Sequence, residues 1–246
     1  MENNLKTKEV NPAYASRRNF LKISGITLAG TGLLLAGCNN DDDGGPNPPA
    51  SNQLPGIRNG VFDLGGGDFG VLTYAYALEQ LEADFYTKVV TNPGFTSFSE
   101  EAKDILNDIH KHEVIHREFF KQTLTEALPA ENVLPALAFA YNGVNFGNEN
   151  SVLMTAKVLE DTGVSAYNGA GSYITEAAYL VIAGQIVSVE ARHASAIRDL
   201  LNPNSIDFAS SVDANGLDPA QDPSVIIGAV GSLGLITTPF TATFLP

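Results

Sequence analysis

Cysteine, basic charge and long hydrophobic runs are all scarce in this 246-residue chain. The single cysteine, Cys38, has no partner to pair with, so no intrachain disulfide can form and an iron centre held by four cysteines is excluded. Bases are heavily outnumbered: beyond residue 38 the chain carries nine Lys or Arg against 26 Asp or Glu, a net charge of −17. A surface that acidic repels phosphate backbones, which argues against a nucleic-acid partner and leaves cations as the natural small ones. The apolar run nearest the N-terminus, Ile23 to Gly37, is 15 residues long, whereas a helix that spans a bilayer needs about 20.

That short run has the surroundings of an export signal. It follows Ser16-Arg17-Arg18-Asn19-Phe20-Leu21-Lys22, a basic stretch with a twin arginine. It ends in Leu35-Ala36-Gly37-Cys38, which resembles the lipobox of bacterial lipoproteins, where cleavage leaves a lipid-modified cysteine as the new N-terminus. Residues 1–38 are therefore expected to be a twin-arginine lipoprotein signal. The protein would be exported to the periplasm or cell surface and held on a membrane through lipid on Cys38. Residues 39–60, "NNDDDGGPNPPASNQLPG" and the residues after it, are rich in Pro, Gly and Asp. Such a stretch cannot bury enough apolar surface to fold, and it reads as a flexible tether.

From Asp68 to Leu201 apolar residues recur at steps of three and four, with breakers only between segments. Four helices are expected, at about 68–91, 99–127, 149–168 and 173–201, with Asp68 as N-cap of the first and Ser99 opening the second. The first and second are joined by a short link, as are the third and fourth, and roughly 20 residues separate the two pairs. Two antiparallel hairpins with one long crossover give an all-α, ferritin-like four-helix bundle over residues 61–201. Residues 202–246 should pack on it as a short helix plus coil.

Two acid–base pairs interrupt the apolar stripes. Glu113 and His116 fall on the stripe Leu106, Ile109, Phe120, and Glu190 and His193 on the stripe Ile186, Ile197. A solvated pair would occupy the opposite face. Fourteen Glu and four His predict roughly 0.2 Glu-x-x-His pairs by chance, so two that both face inward form a signal. The first and third helices each add a lone inward glutamate, Glu79 and Glu160, each seven residues before a tyrosine, Tyr86 or Tyr167. "ALEQLEADFY" and "VLEDTGVSAY" align as an internal repeat, so the halves read as copies of one metal-binding hairpin. Glu82 competes with Glu79 on the first helix, and the repeat favours Glu79 because Gly163 stands where a second Glu82 would be. His110 and His112 lie off the stripe and read as surface residues.

Four buried carboxylates repel one another and resist ionisation. Two divalent cations, ligated by one Glu from each of two helices and Glu-x-x-His from each of the others, remove that conflict. Carboxylates with imidazoles suit iron or manganese, and zinc can substitute.

With "VLEDTGVSAYNGA", "SVEARHASAIRDL" and "YALEQLEADFY", the chain resembles the ferritin-like domain family that includes desiccation-related proteins, and more distantly bacterioferritin and rubrerythrin. The resemblance covers about residues 60–235. It implies terminal ligands at Glu79 and Glu160, bridging carboxylates at Glu113 and Glu190, and His116 and His193 on one metal each. Tyr86 and Tyr167 would be hydrogen-bond partners of the ligands, or else core tyrosines satisfied elsewhere. The expected function is Fe(II) oxidation or detoxification of peroxide or oxygen at a dinuclear iron or manganese centre. The alternative is a stress-related envelope protein whose metal pair is structural or vestigial. A homodimer through the outer helix faces is compatible with either.

Overall fold

The structure, a computed structural model, describes residues 53–246. The signal sequence, Cys38 and most of the tether lie outside the described residues. Four long helices dominate: α1 (Gly67–Thr91), α2 (Glu100–Ala127), α3 (Glu149–Gly171) and α4 (Ala177–Leu201). α1 packs chiefly against α2 and α3 against α4, so the two hairpins expected from the link lengths are present. None of the helices among the described residues is long and apolar enough to cross a membrane.

The helix ends follow local chemistry, with two departures from expectation. Ser99 caps α2 by accepting a hydrogen bond from Ala102 N, and Asn148 caps α3 by accepting from Ser151 N. Asp68 does not cap α1, whose N-cap is Gly66. Its carboxylate instead accepts from Thr175 N at 2.7 Å and Glu176 N at 3.0 Å, serving the backbone that leads into α4. α4 accordingly begins at Ala177 rather than 173, after a turn that Asp68 holds from another helix.

The second departure is a small sheet. β1 (Gly56–Arg58) pairs antiparallel with β2 (Val61–Asp63), so the tether stops short of Gly56 rather than running to residue 60. β2 also pairs, in parallel, with β3 (Phe240–Thr241) from the C-terminal extension. The fully buried Asp63 ties these segments together. It accepts from Gly65 N at 2.9 Å, Thr241 Oγ1 at 2.7 Å and Thr243 N at 3.0 Å. The extension also contributes α5 (Pro223–Leu233), which lies against α3. Here Gly169 is obligatory: a Cβ would stand 1.8 Å from the Gln221 carbonyl oxygen, where the returning chain crosses α3.

Candidate metal centre

The two hairpins face one another across a core of Leu72, Leu106, Phe120, Leu153 and Ile197, and the polar residues picked out by spacing lie inside that core. Glu79, Glu113, Glu160 and Glu190 are each 0% exposed, His193 4% and His116 9%. They form two overlapping groups, Glu79, Glu113, His116 and Glu190 in one, Glu113, Glu160, Glu190 and His193 in the other. Within each group the ligating atoms lie within 4.8 Å of one another.

The shared members are oriented to serve both groups. His116 Nδ1 lies 2.8 Å from Glu190 Oε1 and 3.7 Å from Glu113 Oε2. His193 Nδ1 lies 2.8 Å from Glu113 Oε1 and 3.3 Å from Glu190 Oε2. Glu113 and Glu190 thus each turn one oxygen to either imidazole. Glu79 Oε2 stands 3.6 Å from His116 Nδ1, and Glu160 Oε2 stands 3.5 Å from His193 Nδ1. The other oxygens of the lone glutamates are held across the bundle. Tyr167 donates its hydroxyl to Glu79 Oε1, and Tyr86 donates to Glu160 Oε1. Each tyrosine fixes one oxygen of the opposite half's glutamate and leaves the second turned towards the imidazole.

Despite the short approaches, none of these inward atoms has an aligned hydrogen bond. Glu79 Oε2, both oxygens of Glu113 and Glu190, Glu160 Oε2 and both Nδ1 atoms are buried without a partner. Eight orphaned lone-pair donors in so small a volume would be a severe cost in a protein core, and it disappears if each donor has a cation to ligate. This convergence fits a pair of metal ions, and the donor chemistry of carboxylates and imidazoles suits iron or manganese.

The electrostatics tell the same story from the protein side. Burial pushes Glu79 well above the carboxylate range, and Glu113 and Glu190 reinforce it. Burial likewise leads in lifting Glu160, to about 8. At Glu113 burial is outweighed by the adjacent His116 and His193, which pull the carboxyl down to about 2. At His116 the penalty of burying charge is outweighed by Glu113 and Glu190, raising the imidazole to about 11, and His193 is raised for the same reasons with Glu160 added. The site strongly favours positive charge between its carboxylates, whether from imidazolium or from metal.

Two further residues, Glu82 and His112, find their places only in the packed bundle. Glu82 is 3% exposed, so α1 buries both of its competing glutamates, yet Glu82 belongs to neither ligand group. His112 is exposed, as a surface residue should be, but its Nδ1 lies 2.9 Å from His193 Nε2 with the two rings 9° from parallel. The signal for this contact, a histidine one turn before a ligand on α2, points at α4 only once the helices are packed. His110 bonds Thr87 Oγ1 at 3.2 Å and stands outside both groups.

A model of the ferritin-like domain matches residues 67–203, more than half of the chain, and the protein belongs to that family. No curated protein matches the chain closely enough to count as a relative.

Proposed function

We propose that the protein binds a dinuclear iron centre, with manganese as the alternative occupant, and uses it to oxidise Fe(II) or to remove peroxide or oxygen. The observation that carries this reading is the paired orientation of Glu113 and Glu190, each with one oxygen towards His116 and the other towards His193. Carboxylates so placed would each be shared between the two ions. Glu79 with His116 would complete one coordination set and Glu160 with His193 the other. The metal pair, when bound, supplies the redox chemistry, exchanging electrons with oxygen or peroxide. The protein's contribution is to fix the separation of the ions, to orient the terminal carboxylates through Tyr86 and Tyr167, and to keep bulk water out. Zinc would fit the donors but could not perform the reaction, because it has no redox chemistry.

The complete burial of all four carboxylates favours a second reading, in which the pair is structural and the protein serves the envelope under stress without turnover. One experiment separates the two: elemental analysis of the purified protein and of a Glu113→Ala, His193→Ala variant, followed by oxygen- and peroxide-consumption assays. About two iron or manganese per chain, lost in the variant, with consumption that requires the metal, supports the enzyme. Bound metal without consumption supports the structural role, and no metal in either protein overturns the dinuclear proposal in favour of a vestigial site.

Location belongs to the same proposal and rests on the N-terminal sequence. The twin arginine at Arg17-Arg18 and the lipobox at Cys38 support export and a membrane tether. Export that survives Arg17→Lys, Arg18→Lys would rule out the twin-arginine route.

A further inference from the structure

We infer that the two metal positions are unequal, the one served by His193 holding its ion more tightly, and that His112 and Glu82 make the difference. The inference rests on the dinuclear reading above and concerns how the duplicated halves have diverged.

The first observation is at the imidazoles. A metal-ligating histidine is oriented, and its basicity raised, by whatever its second nitrogen bonds. His193 presents Nδ1 to Glu113, Glu160 and Glu190, while its Nε2 is bonded to His112 Nδ1 at 2.9 Å. The nearly parallel planes, 9° apart with centroids 5.2 Å apart, are those of two rings joined edge to edge by an N–H···N bond. With Nδ1 given to a metal, His193 Nε2 carries the proton and donates, and His112 Nδ1 accepts. His116 lacks this support. Its counterpart of His112, one turn earlier on the equivalent helix, is Val189, which can neither donate nor accept.

The second observation is independent and lies on the other two helices. Glu82 sits one turn after Glu79, and its Oε2 is buried without a hydrogen-bond partner. The matching position in the repeat is Gly163, one turn after Glu160. A Cβ built on Gly163 would stand 3.0 Å from Glu82 Oε1, so the carboxylate of Glu82 occupies the space that a side chain on α3 would fill. It therefore reaches from α1 to Gly163 on α3, one turn after Glu160. Glu82 stands outside both ligand groups; turned inward beside Glu160, its carboxylate would give the His193 group one donor more than the His116 group.

Both asymmetries act in the same direction, towards a tighter position at His193. The test is titration of the full chain with Co(II), followed by calorimetry and by the visible absorption of the bound ion. The wild type should take up two equivalents whose dissociation constants differ by about tenfold or more. His112→Ala and Glu82→Gln should each weaken the tighter equivalent by about 10- to 100-fold and leave the weaker one within about twofold. His112→Asn, whose Oδ1 stands close to where Nδ1 stood and can accept the same bond, should restore most of the loss, which a merely structural role would not predict. Val189→His should tighten the weaker equivalent. Two indistinguishable equivalents in the wild type would overturn the inference while leaving the dinuclear centre intact, as would His112→Ala weakening both alike. No uptake of Co(II) by the wild type would overturn the dinuclear reading together with this one.

Discussion

The α1–α2 hairpin and the α3–α4 hairpin turn matching acids, imidazoles and tyrosines inward, and they are wrapped differently. Glu79 and Tyr86 in one correspond to Glu160 and Tyr167 in the other, and the tyrosines reach across to each other's glutamate. Outside these positions the copies part company. Lys88 of α1, paired at the surface with Asp84 at 2.6 Å, corresponds to Gly169 of α3, on which the C-terminal extension crosses. The first half is instead covered by the long α2–α3 connection, where Gln80 Oε1 accepts from Leu137 N at 2.9 Å and Tyr141 donates to Asp84 Oδ2, also at 2.9 Å. The halves agree in the Glu and Tyr positions and in the Glu-x-x-His pairs, and differ in what covers them.

The sharpest way to break this comparison is to remove a shared ligand and an unshared one in turn. Glu113→Gln combined with Glu190→Gln should abolish metal binding at both positions, whereas Glu79→Gln or Glu160→Gln alone should leave about one ion per chain by elemental analysis. Next in size is the wrapping. Gly169→Ala should destabilise by about 3 kcal/mol or more, because its methyl meets backbone that must move. Lys88→Ala, at the same position of the other half, should change stability by well under about 1 kcal/mol. Thermal or urea unfolding of the two variants would show whether the halves differ as their coverings imply.

Asp63, which joins the extension to the strands ahead of the first half, should come third. Burial opposes its charge, but the hydrogen bonds from Thr243, Thr241 and Gly65 prevail and hold its pKa below the ordinary value. A carboxyl depressed in the folded state stabilises above its unfolded pKa, about 3.9, and that contribution is lost as pH falls through the folded value. Asp63→Asn should cost about 2 kcal/mol at neutral pH, and the deficit should shrink as unfolding is measured at progressively lower pH. The smallest effect separates nothing if the symmetry holds. Tyr86→Phe and Tyr167→Phe should each weaken metal binding by about tenfold and to the same extent, and a large difference between them would show that the tyrosine exchange is less symmetric than its geometry.

How far the sequence could be read depends on the range of the interaction. The six inward acids and imidazoles were legible because each lies on an apolar stripe of its own helix, a local property. Periodicity allowed either Glu79 or Glu82 to face inward and the repeat favoured Glu79; that both are buried at once could not be read from the first helix alone, because the niche of Glu82 is made by a missing side chain at Gly163 on a distant helix. His112 looked like a surface residue and is one, apart from the ring edge that meets α4. Asp68 was read as the cap of its own helix because capping is usually local, yet it serves the start of α4, more than 100 residues away. The short strands carried no pattern of their own and exist only because β2 has partners on both sides.

The bond from Thr243 N to Asp63 Oδ2 spans 180 residues, and that span sets an order of events. While the ribosome is still making α1 to α4, the bundle can assemble, but the Asp63 carboxylate is being buried with much of its hydrogen bonding still to come. Only when residues 240–243 emerge does the strand beside β2 arrive and the last of that acid's partners with it. A truncation before Phe240 that spares every helix and all six inward acids and imidazoles would therefore still deprive Asp63 of its bonds from Thr241 and Thr243, at the end where the tether begins.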